Sequence, residues 1–134
     1  MTLNTKNRNI IVNHRFQRAQ ETLEETKKIC EIGLWHSAAN RLYYACYYAV
    51  TALLIKNGYF AHTHNGVLTL LGKHFVLEGI ISKKQNELYR KIFELRQKGD
   101  YGDWVIIDEQ IMKPLIEPAE QFIKTIEKLI NQTT

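Results

Sequence analysis

The stretch HSAANRLYYACYYAVTALLIKN, residues 36–57, decides the fold. Ala39, Tyr43, Cys46, Val50 and Leu53 recur at spacings of four and three, the rhythm that lines one face of an α-helix. Opposite that stripe stand Ser37, Arg41, Tyr44, Tyr48 and Ile55, so the far side is largely aromatic too. A helix apolar over most of its circumference is buried over most of it. In a chain of 134 residues, this predicts either the central helix of a bundle or a helix sharing its outer face with a second copy. Arg41 sits among the tyrosines, where it suits cation–π packing or a surface on which nucleobases stack.

The flanking segments repeat the rhythm. Residues 8–32 carry Val12, Phe16, Ala19, Leu23, Thr26 and Cys30, and residues 64–77 carry Val67, Leu71 and Phe75. Residues 83–98 use Leu88, Ile92 and Leu95, and residues 108–131 use Ile111, Leu115, Phe122, Ile126 and Leu129. Gly33, Gly58, Gly79 and Gly99 each close one of these segments. Thr63 is placed to cap the third helix, Ser82 with Gln85 forms a capping box for the fourth, and Asp108 caps the fifth. Pro114 and Pro118 should kink the fifth helix or delay its regular part by a turn. No alternating strand pattern, repeat or low-complexity linker competes. The expectation is an all-α antiparallel bundle of about five helices, one domain over residues 1–134 with 1–7 as a flexible tail.

Composition narrows the class. Hydrophobic residues make up 45% of the chain and charged residues 24%, as in a soluble globular protein. The polar N-terminus gives the expectation of no signal peptide, and the longest apolar stretch, 43–55, is too short and tyrosine-rich to span a bilayer. Cys30 and Cys46 lie in helical patterns without metal-ligand spacing, which suits buried thiols in a reducing cytoplasm. Neither a cofactor motif nor a metal set is apparent, His62 and His64 having no nearby carboxylate to complete one. Residues 1–99 hold 15 Lys and Arg against 7 Asp and Glu, a balance of +8, whereas 100–134 hold 3 against 7, or −4. A basic body with an acidic last helix suits an RNA or nucleotide ligand, or else complementarity within the bundle.

One cation stands apart. Arg96 ends the fourth stripe and runs at once into Gly99-Asp100-Tyr101-Gly102-Asp103-Trp104. A guanidinium at the rim of a packing seam costs free energy unless it finds a partner, and such placements concentrate at functional sites. Its two readings are a phosphate or partner site and a structural anchor for the following loop through Asp100 or Asp103. Trp104 reads as core or interface, and Lys83, Lys84, Lys91 and Lys98 as a solvated face.

Three pieces in order, Asn40-Arg41-Leu42-Tyr43-Tyr44-Ala45, Thr63-His64-Asn65-Gly66 and Leu95-Arg96-Gln97-Lys98-Gly99-Asp100-Tyr101, resemble the HEPN superfamily, specifically its small stand-alone bacterial and archaeal members. The resemblance runs from about Ala38 to Leu129. It implies an all-α bundle that dimerises, a nucleotidyltransferase-family partner in a toxin–antitoxin or stress-response module, and RNA or nucleotide as ligand. It also implies metal-independent ribonuclease chemistry through an arginine followed four to six residues later by a histidine. Arg96 matches that arginine. No histidine follows it anywhere in the chain, and position 101 holds Tyr101, which removes the family's usual proton carrier. RNA cleavage without a metal needs a base, an acid and positive charge for the phosphorane. Tyrosine, with a pKa of about 10, is a poor base but can orient or donate. His64, in the first turn of helix three, is the one substitute, as base or phosphate ligand; its other reading is to fix the preceding turn. The expected catalytic set is therefore Arg96, Tyr101 and His64. The expected phosphate-binding set is Arg41, Tyr44, Thr63, His64, Asn65, Arg96 and Asp100. The alternative is a non-catalytic nucleotide-binding, protein-interaction or dimerisation module.

Overall fold

The computed structural model describes residues 4–101 and 106–132. Five α-helices follow one another: α1 (Thr5–Glu31), α2 (Trp35–Lys56), α3 (His64–Leu71), α4 (Lys83–Tyr101) and α5 (Glu109–Asn131). There is no strand among the described residues. The all-α bundle expected from the periodicity is what the chain forms.

α2 lies at the centre and touches α1, α3, α4 and α5. Most of its apolar circumference is buried inside one chain: Ala38, Leu42, Tyr43, Ala45, Cys46, Ala49, Val50 and Ala52 have no solvent exposure, while Tyr44, Tyr47 and Tyr48 are half-buried. Small residues at 38, 45, 49 and 52 let neighbouring backbones approach closely, while Tyr43 and Leu42 fill the wider gaps. Burial pushes the Cys46 thiol up to about 12, so it is an inert hydrophobe, and both cysteines are unpaired.

Local signals set most boundaries. Thr63 accepts from the Gly66 N–H and Asp108 from the Ile111 N–H, as their N-cap positions predicted. α1 starts at Thr5, capped by Asn4, three residues before the predicted start at Arg8, so residues 5–7 are helical instead of a tail. The Ser82 box is half made. Ser82 Oγ accepts from the Gln85 N–H, but the Gln85 amide turns away to donate to Thr125 Oγ1 at 3.0 Å. After α3 the chain widens into one π turn, Gly72–Val76, where a regular helix to residue 77 was expected. α5 begins directly at Glu109 and contains both prolines, so its regular part is not delayed.

Two corrections bear on the site. Gly33, Gly58 and Gly79 take positive φ and close their helices, but Gly99 does not. It lies inside α4, where a Cβ would stand 3.0 Å from Ile107 Cδ1 and 3.8 Å from His36 Nδ1. Glycine is there for close approach, and α4 runs on to Tyr101. The inward face of α4 is also rotated from the expected one. Tyr89, Ile92 and Phe93 are buried, whereas Leu88 and Leu95 are half-buried. On α5, Ile111 is exposed, and Met112 occupies the core in its place.

Candidate functional site

Adjacent tyrosines on α2 build the floor of the site. Tyr43 points into the core and Tyr44 is half-buried, their rings meeting edge to face at 5.3 Å. Arg96 of α4 lies across both, its Cζ 5.2 Å from the Tyr43 centroid and 5.1 Å from that of Tyr44. Such placement over ring faces stabilises a cation without cancelling its charge. Arg96 Nη2 donates to Tyr44 Oη at 3.1 Å. Its Nε stands 3.1 Å from Asp100 Oδ2, an ion pair whose N–H is not aligned on the carboxylate. Asp100 reaches it only because the helix continues through Gly99 and puts the carboxylate one turn on. The Arg96 side chain keeps 15% of its surface exposed.

His64 comes to the same rings from α3. Its Nδ1 is 2.5 Å from Tyr43 Oη, and its ring lies 4.7 Å from Tyr47, 5.4 Å from Tyr43 and 6.1 Å from Tyr44. Burial, and then the nearby Arg96 charge, lower its pKa, so it is a neutral imidazole at physiological pH. Burial drives the Tyr43 and Tyr89 phenols well above the ordinary tyrosine value, and both stay protonated. Tyr89 lies parallel to Tyr43 at 6.1 Å, sealing the floor from behind.

Arg41 sits on the other flank. Its Cζ is 5.4 Å from the Tyr44 centroid, so Tyr44 faces two guanidiniums. Arg41 Nε is buried without a hydrogen-bond partner among the described residues. With His36, Asn40, Gly99 and Asp100 it lines an open cleft of about 480 Å³.

The structure therefore brings together Arg96, His64, Tyr44, Asp100 and, one ring further, Arg41. Thr63 does not join them as a free ligand, its hydroxyl being used on the Gly66 N–H. Asn65 lies apart, in a groove between α3 and α4 with Arg90, Phe93 and Gln97. Tyr101 ends α4, but its side chain, like Asp103, Trp104 and residues 1–3, lies outside the described residues. The periodicity reads Tyr43 as plain core and assigns no role to Tyr47 or Tyr89. Three phenols at 43, 47 and 89 in a small chain were the available signal, since a buried hydroxyl needs a partner.

The chain is similar to known proteins over most of its length. The HEPN domain family matches residues 12–129. A UPF0332 protein of Thermotoga maritima is 40% identical over 120 residues, which cover 90% of this chain and 91% of that protein. A protein of Methanocaldococcus jannaschii named "Putative toxin MJ0605" is 32% identical over 114 residues, covering 85% of this chain and 84% of its own. A UPF0332 protein of Archaeoglobus fulgidus is 26% identical over 118 residues, 88% of this chain and 94% of that one. On the family match and these relatives, this chain belongs to the HEPN domain family.

Proposed function

We propose that this protein is a toxin-type HEPN protein that binds the phosphate backbone of RNA through Arg96, with His64 beside it. The observation that carries the reading is the state of Arg96. It is held against two rings, meets one carboxylate, and leaves Nη1 without a partner among the described residues. A guanidinium preorganised in this way suits bidentate binding of a phosphodiester. The excess of Lys and Arg over residues 1–99 adds a favourable field for RNA, and relatives named as toxins share the fold family. Although no histidine follows Arg96, His64 brings an imidazole to the same tyrosines from α3, which supports a phosphate site there.

A homodimer and a nucleotidyltransferase-family partner belong to the proposal on the strength of the HEPN family alone. A partner covering the Arg96 surface would silence the site.

Binding of a labelled single-stranded RNA, read by fluorescence anisotropy in EDTA, tests the reading. Wild-type protein should bind, and Arg96→Ala should weaken binding about tenfold or more, roughly 1.4 kcal/mol. Cleavage products that vanish in both Arg96→Ala and His64→Ala would add turnover to binding. Absence of RNA binding, or binding indifferent to Arg96→Ala, would overturn the proposal.

A further inference from the structure

We propose that Tyr43 is the positioning residue of this site: its hydroxyl donates to Nδ1 of His64 and fixes the imidazole with its proton on Nε2, aimed at an anion. His64 then acts beside Arg96 as a hydrogen-bond donor to a phosphate oxygen, and its Nε2 has no lone pair with which to accept a proton. The choice of phosphate as the anion rests on the RNA reading above; the Tyr43–His64 arrangement does not.

The argument starts from burial. Tyr43 has no solvent exposure, so its single hydroxyl proton must go to an acceptor within reach. His64 Nδ1, at 2.5 Å, is that acceptor. The other phenol nearby, Tyr89, is equally buried and close enough for the two hydroxyls to interact, but it makes no aligned hydrogen bond with Tyr43. In the opposite tautomer, His64 Nδ1–H would donate to Tyr43 Oη. The Tyr43 proton would then have only the Tyr89 hydroxyl to turn to, which interacts with Tyr43 but makes no aligned hydrogen bond, a poor exchange in an apolar interior. One arrangement satisfies both groups and the other satisfies one.

The ring is also held in plane. Tyr47 at 4.7 Å and Phe93 at 6.4 Å wall the imidazole, and the Thr63 cap fixes the first turn of the helix that bears it. His64 Nε2 has no partner among the described residues and is not among the sealed, unpartnered atoms, so it meets solvent. Burial and the Arg96 charge keep the ring neutral, which preserves Nδ1 as an acceptor. A neutral imidazole with its tautomer set by a neighbour is a fixed dipole. The imidazole ring and the Arg96 guanidinium both lie against the Tyr43 and Tyr44 rings.

Long-range proton–nitrogen NMR spectra of 15N-histidine-labelled full-length protein read the tautomer directly. Wild type should show His64 as a single Nε2–H form with a hydrogen-bonded Nδ1. Tyr43→Phe, which keeps the ring in the core, should free Nδ1 and let both tautomers appear, with RNA affinity falling about three- to tenfold. Tyr89→Phe should leave the His64 signals unchanged. An Nδ1–H imidazole in wild type, or Tyr43→Phe spectra and affinity equal to wild type, would overturn the inference. The predicted tautomer in a protein that binds no RNA would sink the RNA reading and leave Tyr43 in its role.

Discussion

The bundle treats charge in opposite ways at two of its seams. Where α1 meets α5, Lys27 Nζ lies 3.0 Å from Glu120 Oε2 and 3.3 Å from Glu24 Oε1, and the Gln20 amide donates to Glu127 at 3.2 Å. Cation and anion cancel at the surface. Where α2 meets α4, the partners of Arg96 are two tyrosine rings, a phenol oxygen and one carboxylate. Aromatic faces hold a cation through their quadrupole and leave its charge available. Lys27, met by two carboxylates, has little charge left for an anion, whereas Arg96, with one misaligned carboxylate, keeps most of its own.

The largest effect should come from removing what joins the two seams. Phe122 of α5 is fully buried and stacks on Tyr89 of α4 at 5.7 Å. Phe122→Ala should cost about 3–5 kcal/mol in urea denaturation. A loss below about 1 kcal/mol would mean that the seams are not braced through this ring.

The next test sharpens the contrast by stripping the single carboxylate from Arg96. Asp100→Asn should raise RNA affinity about threefold at low salt, and the gain should shrink as salt screens the remaining charges. Weaker binding would instead make Asp100 an orienting residue that the site needs. At the other seam, Lys27→Ala should cost no more than about 1 kcal/mol, because exposed pairs are screened and entropically costly to hold. RNA affinity should stay unchanged.

How much of this was legible follows from where the deciding neighbour lies. Thr63 and Asp108 announce their caps because the groups they satisfy are three residues away. Gly99 misleads because its reason is Ile107 and His36, brought near only by folding. The inward face of α4 was read one residue off. Tyr89 and Phe93 are four apart and share a face as well as Leu88, Ile92 and Leu95 do, and tertiary packing chooses between the two stripes. Arg96 is legible as a cation ending an apolar stripe, and His64 as the histidine in the first turn of helix three that can stand in for the one missing after Arg96. Tyr43 is not, since its hydroxyl's partner is 21 residues away on another helix.

The smallest predicted effect is a pH dependence at His64. Folding holds its pKa below the ordinary value of about 6.5, so the unfolded chain takes up this proton first. The stabilisation is complete above about 6.5 and is lost as pH falls below it. His64→Gln should therefore narrow the stability difference between pH 7.5 and pH 5.5 relative to wild type. An unchanged or wider difference would place the imidazole in water.

The salt dependence of RNA binding tests the central claim most directly. Plots of log affinity against log salt for wild type, Arg96→Ala and Lys27→Ala should show the Arg96→Ala slope shallower by about 0.7, the share of one phosphate contact on a single strand. The Lys27→Ala slope should match wild type. Equal slopes for all three would show that the charge held between Tyr43 and Tyr44 touches no phosphate.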